Sequence, residues 1–453
     1  MSMNPSIVWL RNDLRISDNP ALDAAIKRGS PLVIVFVLDQ ESPGIRPLGA
    51  ATKWWLHHSL EALRSDIEGL GGTLVLRHGQ GSEVISSLVR ETQAGAVFWN
   101  RRYGHAREAD AALKESLRAE GLEVQSFSGN LLFEPWTVTT QEGKPFRVFT
   151  PFWRACLASE PPRTPLRAPS TLTSVVGVRT DQVDSWDLLP TNPEWSEGVR
   201  SSWTPGEKGA QARLDDFVSN TLENYHRRDE PAPVTTSRLS PHLRFGEISP
   251  HTIWYTLEQQ LPASAEKNKA KFMSEIGWRE FSYNILFHQP DLHSRNFRSE
   301  FDAFPWGQPD PEVLRAWQRG KTGVPLVDAG MRELWATGYM HNRVRMVAAS
   351  FLIKNLLVDW RVGEQWFWDT LVDADEANNP ASWQWVAGSG ADAAPYFRVF
   401  NPLLQADKFD PNQEYITRWV PEFGTSDYPS EPIVDMKFSR DRALGAFAAL
   451  KGK

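Results

Sequence analysis

One cysteine, Cys156, stands alone in 453 residues. That excludes a disulfide framework, a cysteine-rich zinc site and an iron–sulfur cluster, and it fits a reducing compartment. No apolar run reaches the length needed to span a bilayer. The stretch Met1 to Ile7 lacks the basic region and apolar core of a signal peptide, so the expected location is the cytoplasm, without membrane association. The first strand is not followed by Gly-x-Gly-x-x-Gly, and no phosphate loop is present, which argues against a dinucleotide site of the usual kind. The net charge of −7 argues weakly against nucleic acid. Binding, however, follows the field over one face rather than the total.

Tryptophan is abundant: 20 residues, ten of them between Trp278 and Trp419. Packing accounts for many of these. Their density in one region also suits stacking on bases and the passage of an electron. With 41% apolar and 23% charged residues, the chain reads as a globular enzyme long enough for two domains.

Residues 1–130 alternate apolar runs (Ile7–Leu10, Leu32–Leu38, Thr73–Arg77, Ala96–Trp99, Glu123–Phe127) with amphipathic stretches (Pro20–Arg28, Ala50–Gly69, Ser82–Gln93, Ala106–Glu120). This spacing predicts an α/β domain with a doubly wound, parallel, five-stranded sheet. Residues 131–204, rich in Pro, Ser and Thr, read as a long connection over the surface. From 205 to 453 strand patterns vanish. Helices are expected over Ala212–Leu222, Pro250–Gln259, Lys267–Phe287, Pro311–Gln318, Val327–Thr337, His341–Asp359 and Gly363–Leu371, with a short basic helix after Phe438.

Several segments of the helical half carry chemistry. Thr236-Ser237-Arg238-Leu239-Ser240 precedes Pro241 and a helical pattern. Hydroxyls, an arginine and helix-start amides suit a pyrophosphate, and equally suit an N-cap with a surface arginine. Glu275, Trp278 and Arg279 share a helix face. Taken alone they read as a Glu275–Arg279 ion pair beside an indole. Between 338 and 361, Arg343, Arg345, Lys354 and Arg361 against Asp359 give a net +3, a local basic patch, or a solvated helix face. Asp373 and Asp375 flank Ala374, but no further acidic ligands accompany them, so no metal is expected. Trp54 and Trp55 suit a stacked pigment less well than buried packing.

These segments, with Gly338-Tyr339-Met340-His341-Asn342-Arg343-Val344-Arg345-Met346, Asn378-Asn379-Pro380-Ala381-Ser382-Trp383-Gln384-Trp385, Asp392-Ala393-Ala394-Pro395-Tyr396-Phe397-Arg398 and the opening Trp9-Leu10-Arg11-Asn12-Asp13-Leu14-Arg15, resemble the DNA photolyase/cryptochrome family, in order and over nearly the whole chain. The resemblance implies that the helical half is an all-α FAD-binding domain and that reduced, anionic FAD repairs DNA in blue light. FAD would be held by Tyr225, Thr236, Ser237, Arg238, Leu239, Ser240, Arg345, Asp373, Asp375 and Asn379, with Asn379 facing flavin N5. Plant cryptochromes tend to carry Asp there, so Asn favours repair. Glu275, Trp278, Asn342, Met346 and Trp385 match lesion-pocket residues, and Arg228, Arg279, Arg343 and Arg398 match DNA contacts. Trp306, Trp360 and Trp383 match an electron relay, Trp383 nearest the flavin. Trp366 and Trp368 offer a second branch.

Met340-His341-Asn342-Arg343-Val344 lacks the second histidine of the family's (6-4) enzymes, so the expected substrate is DNA containing cyclobutane pyrimidine dimers. The Asn378 to Pro402 stretch looks most like bacterial class III members, with class I next. An antenna pigment, folate or deazaflavin, is implied for the N-terminal domain. Tyr103-Gly104-His105-Ala106 departs there from one folate-binding pattern. The expected assembly is a monomer. The alternative is a signalling cryptochrome with the same flavin and no repair.

Overall fold

The structure, a computed structural model, describes residues 3–260, 265–308, 310–393 and 397–451. The N-terminal part runs β1 (Ser6–Leu10), α1 (Pro20–Lys27), β2 (Leu32–Leu38), α2 (Ala50–Gly69), β3 (Leu74–His78), α3 (Gly81–Thr92), β4 (Ala96–Asn100), α4 (Ala106–Ala119) and β5 (Glu123–Phe127). The strands pair in parallel in the order β3-β2-β1-β4-β5. Alternate residues feed two cores. Val8, Leu10, Ile34 and Phe36 face one side with Trp54 and Trp55, while Ile7, Trp9, Val33 and Val35 face the other. Burial of both faces explains why the strands read as continuous apolar runs. Asn19 starts α1, its Oδ1 accepting from Leu22 N at 3.2 Å, and Pro20 needs no donor at that position.

Residues 159–182 run as irregular, mostly exposed chain, but the flanking parts of the expected 131–204 connection are packed into the body. Leu131, Leu132, Phe152, Trp153 and Cys156 are buried against the helix Glu266–His288, and Leu172 enters the core under the sheet. Trp203 is also buried, its Nε1 donating to Thr337 O at 2.8 Å. Pro-rich composition marked irregular backbone correctly, but the apolar residues between the prolines needed cover.

The remainder is helical around two further cores, one on the Glu266–His288 helix and one among Asn342–Ser350, Trp360–Thr370 and Asn378–Ala387. The expected helix His341–Asp359 is shorter. It runs Asn342–Ser350, widens into a π-turn over Phe351–Asn355, and stops before Leu357 at φ 59°. The expected Ala212–Leu222 helix likewise becomes Glu207–Asp216 followed by a π-turn. Asn378–Ala387 escapes a reading by periodicity because it is apolar on most sides and holds a proline. Pro380 sits in the first turn, where no backbone donor is required.

The two halves meet tightly. The buried Arg15 guanidinium donates to Asp18 O, Gly129 O (2.7 Å) and Gly246 O (2.9 Å). Leu14 N donates to Phe245 O at 3.0 Å. Gly246 is at φ 64°, and a Cβ there would lie 2.0 Å from Asn12 O, so only glycine fits.

Candidate functional site

Backbone geometry builds the first cluster. Arg238 adopts φ 52°, a left-handed conformation uncommon for a long side chain, which turns its guanidinium over Trp203 (4.5 Å to the ring centroid) and Tyr339 (5.0 Å). Its Nε–H is buried with no acceptor among the described residues. Next to it, Ser240 Oγ donates to Asp373 Oδ2 at 2.6 Å, and Arg345 grips both Asp373 oxygens at 3.0 and 2.9 Å. Arg345 also lies 5.0 Å from the Tyr339 ring. Arg238, Ser240, Arg345 and Asp373 therefore form one group. The half-buried Thr236 and Ser237 and the buried Leu239 lie on the same stretch of chain.

Tyr225 is buried edge-on to Phe217 and Phe272, and burial pushes its phenol well above the ordinary value. Asp375 faces its own chain. Its Oδ1 accepts from Ala377 N (2.8 Å) and Asn378 N, and Oδ2 accepts from Asn378 Nδ2 (2.7 Å). It thus holds the start of the Asn378–Ala387 helix.

The Asn379 amide has a defined orientation. Nδ2 donates to Glu364 Oε1 at 2.7 Å and to Glu364 O at 3.1 Å. Oδ1 has no donor among the described residues. A buried donor on Arg238 and an acceptor on Asn379, neither with a partner among the described residues, lie among hydroxyls and a paired carboxylate. That donor set fits a dinucleotide carrying phosphates and a hydrogen-bonding ring, as FAD does.

A charged row runs along another stretch. Glu275 pairs with Lys271 (3.2 Å) and Arg228 (3.4 Å), and Arg343 pairs with Asp229 (3.0 Å) and covers the Phe409 ring. Because Arg228 and Asp229 are adjacent in the chain, Glu275, Arg228, Asp229 and Arg343 alternate in sign. Arg279 does not join Glu275. It pairs with Glu280 at 3.1 Å, whose other oxygen accepts from Leu132 N and Phe133 N. Burial pushes the Glu280 carboxyl up to about 7, against the pull of Arg279. Trp278 is half-buried on Phe149, Met346 is half-buried, and Asn342 is exposed. The exposed Arg398 reaches to 5.7 Å from the Trp385 ring. Residues 394–396 of the segment quoted above lie outside the described residues.

The basic patch expected over 338–361 is not a surface patch. Lys354 is fully buried, donates to Ala387 O at 2.7 Å, and lies 3.1 Å from the Phe397 ring centroid. Burial drives its amine well below the ordinary value. Arg345 and Arg361 are paired with Asp373 and Asp359. A charge count could not see that each cation has its own partner inside the fold.

Trp383 and Trp360 are buried and Trp306 is half-buried, so exposure rises along the expected relay. Trp383 lies against the Trp360–Thr370 helix at Gly363, where a Cβ would come within 2.2 Å of the indole. Trp360 Nε1 donates to Asn296 Oδ1 at 2.9 Å. Gly307 N donates to Leu357 O at 2.9 Å, which brings the Trp306 segment to the approach of that helix. Trp366 stacks on the exposed Trp335 with planes 6° apart, whereas Trp368 is buried under Arg46. Trp54 and Trp55 are fully buried and serve packing.

At the carboxyl ends of β1 and β4, where the sheet order reverses, a cavity of about 20 Å³ is lined by Asn12, Arg102, Asn130, Arg244, Tyr283 and Glu376, among others. Tyr103 Oη donates to Glu134 at 3.0 Å and His105 pairs with Asp291 at 2.8 Å, so both of these polar groups are engaged within the chain. Reading by residue type missed Glu280, Glu364 and Arg46. Their decisive partners come from far along the chain, Phe133 for Glu280 (147 residues) and Arg46 for Glu364 (318 residues), and no local pattern signals them.

Two family descriptions match the chain: DNA photolyase over residues 6–170, and the FAD binding domain of DNA photolyase over residues 272–427. A deoxyribodipyrimidine photo-lyase of Agrobacterium fabrum is 49% identical, covering 99% of this chain and 98% of that protein. Cryptochrome-1 of Arabidopsis thaliana is 38% identical over 92% of this chain and 63% of its own length. A bacterial class III photolyase structure from Agrobacterium tumefaciens superposes with a TM-score of 0.94 at 47% identity, covering 100% of this chain and 99% of the other. With the FAD-type donor set and the two-part fold already in place, these matches show that the chain belongs to the DNA photolyase family.

Proposed function

We propose that the chain splits cyclobutane pyrimidine dimers in DNA, using light absorbed by bound FAD, in the manner of class III photolyases. What supports this reading is the Asn379 amide, which Glu364 holds through Nδ2 while Oδ1 has no donor among the described residues. By the family resemblance, an asparagine there, where plant cryptochromes tend to carry aspartate, favours repair.

Thr236 to Ser240, with Arg238 foremost, would take the phosphates. Tyr225, Arg345, Asp373 and Asp375 would surround the remainder, with Asn379 against the flavin ring. FAD held by these residues in its reduced, anionic form would supply the light-driven electron chemistry that opens the dimer, with no net oxidation. The protein's share is to receive a dimer flipped out of the duplex, at a cost of about a few kcal/mol that damage lowers. Trp278 and Trp385 wall the pocket, and Glu275 accepts a hydrogen bond from the pyrimidine edge. Asn342 and Met346 complete it. Arg228, Arg279, Arg343 and Arg398 meet the backbone. Glu275 and Arg343 exchange their partners Arg228 and Asp229 for DNA groups on binding. Trp306, Trp360 and Trp383 would pass electrons inward from an external reductant, such as a thiol in solution, to restore the reduced state of a bound flavin.

An antenna, folate or deazaflavin, is proposed for the N-terminal half, and the protein is proposed to work as a monomer in the cytoplasm. No helix among the described residues is long and apolar enough to cross a membrane. Illumination of the purified, reduced protein with DNA containing thymine dimers tests the reading. Loss of dimers in light and not in the dark is expected; dimers that persist in light overturn it in favour of a signalling cryptochrome.

A further inference from the structure

We infer that Arg46, from the loop between β2 and α2, is a positioning residue for the flavin site, steadying the orientation of the Asn379 amide through Glu364. Its guanidinium meets Glu364 as a fork: Nη1 to Oε1 at 2.7 Å and Nη2 to Oε2 at 2.8 Å, with Nη2 also reaching Gln365 Oε1 at 2.7 Å. The Glu364 side chain is 2% exposed and that of Arg46 14%. The same Oε1 that takes Nη1 accepts Asn379 Nδ2 at 2.7 Å.

A carboxylate held in a bidentate guanidinium pair is an acceptor only. It therefore admits only the NH₂ end of the amide and leaves Oδ1 for whatever lies on the far side. Glu364 O, which can only accept, takes the same Nδ2 at 3.1 Å, so the amide has two anchors. Without Arg46 the Glu364 carboxyl loses the two donors that hold it against Nδ2, and only the backbone anchor stays fixed. Arg46 thus sets how firmly the amide is held with Oδ1 turned to the far side.

The fork is itself fixed. The Arg46 guanidinium lies flat over Trp368, 4.0 Å from the ring centroid, and Trp368 Nε1 donates to Pro47 O at 2.9 Å. Ala50 N donates to Asp369 Oδ1 at 2.9 Å. A Cβ on Gly49 would lie 2.1 Å from Trp368 O, so the loop and the Trp360–Thr370 helix touch backbone to backbone. The N-terminal half thereby reaches a group proposed to touch the cofactor, although it supplies no residue of its own to the flavin pocket described above.

The inference rests on the reading of Asn379 as the residue facing the flavin. The test is a spectroelectrochemical titration of the FAD-loaded protein, in the dark and without DNA. Arg46→Ala should change the ratio of reduced to oxidised FAD affinity about tenfold, a shift of about 30 mV for a two-electron couple. Arg46→Lys, which keeps the charge and loses the fork, should recover part of it. Glu364→Gln should shift the potential as well, and Arg46→Ala added to it should have little further effect. Lys144→Ala, an exposed control, should leave the potential unchanged. Should Arg46→Ala fail to fold, Arg46→Gln is read in the same way. Bound FAD with an unchanged potential in the Arg46 variant overturns the inference alone. Wild-type protein that takes up no FAD overturns the reading beneath it.

Discussion

Trp278 lies flat on Phe149, ring centroids 3.8 Å apart and planes 10° from parallel. One face of the indole is therefore committed to the protein, and a base can use only the other. Phe149 holds the ring still, so less side-chain freedom is lost when DNA arrives. Trp278→Ala should weaken binding of dimer-containing DNA by about 1–3 kcal/mol, the usual worth of a base–aromatic stack. Phe149→Leu, which keeps the indole but loosens its backing, should cost less. Fluorescence anisotropy with damaged and intact duplexes measures both; equal affinities would remove Trp278 from the pocket.

Trp383 is buried between Phe367 (4.9 Å) and Trp317 (6.4 Å), with Gly363 allowing its close approach to the helix that begins at Trp360. Trp383→Phe keeps the packing and removes the indole. Photoreduction of oxidised flavin should be lost while repair by chemically reduced protein is spared. Transient absorption separates the two, and undiminished photoreduction would remove Trp383 from the relay.

Asp373 neutralises Arg345 and fixes Ser240. Asp373→Ala leaves a largely buried guanidinium without its partner, a change that costs about 3–5 kcal/mol where such a pair is broken. The variant should purify with much less FAD, read as the ratio of flavin to protein absorbance. A full complement of FAD would place Asp373 outside the cofactor site.

His341 caps the Asn342–Ser350 helix through Nδ1, which accepts from Arg343 N at 3.2 Å. A ring nitrogen accepts only while unprotonated, and burial lowers this histidine from 6.5 to about 4. Between those values the unfolded chain takes up a proton that the folded one refuses. The stability this represents, about 3 kcal/mol at most, is complete above pH 6.5 and is lost as pH falls to 4. His341→Asn retains a cap acceptor without the titration. Denaturant melts at pH 7, 5.5 and 4.5 should show a smaller acid loss in the variant. Parallel losses in both proteins would assign the acid sensitivity to other groups.

The sheet was legible because a strand buried on both faces writes its whole length as apolar residues, as in Leu32–Leu38. The Ser240–Arg345–Asp373 cluster, proposed to hold the cofactor, was singled out only by resemblance. Ser240, Arg345 and Asp373 are up to 133 residues apart, and their hydroxyl, guanidinium and carboxylate have ordinary surface roles when read one at a time. Lys354 was misread for the same reason. A lysine in an apolar run suggests a solvated face until Ala387 O and Phe397 are seen to receive it. Glu275 drew attention as the partner of Arg279 by helical spacing, yet Arg228 arrives from another element and Arg279 turns to Glu280. Periodicity ranks neighbours along one helix; it is silent about what the next helix brings.

Arg15 imposes an order of events on the newborn chain. Its guanidinium belongs to the part of the chain made before the helical half, yet one of its carbonyl acceptors belongs to Gly246. Until some 230 more residues have been polymerised, the sheet stands with a cation that lacks one of its final acceptors. Synthesis of the later half is thus what completes the hydrogen bonding of the earlier one.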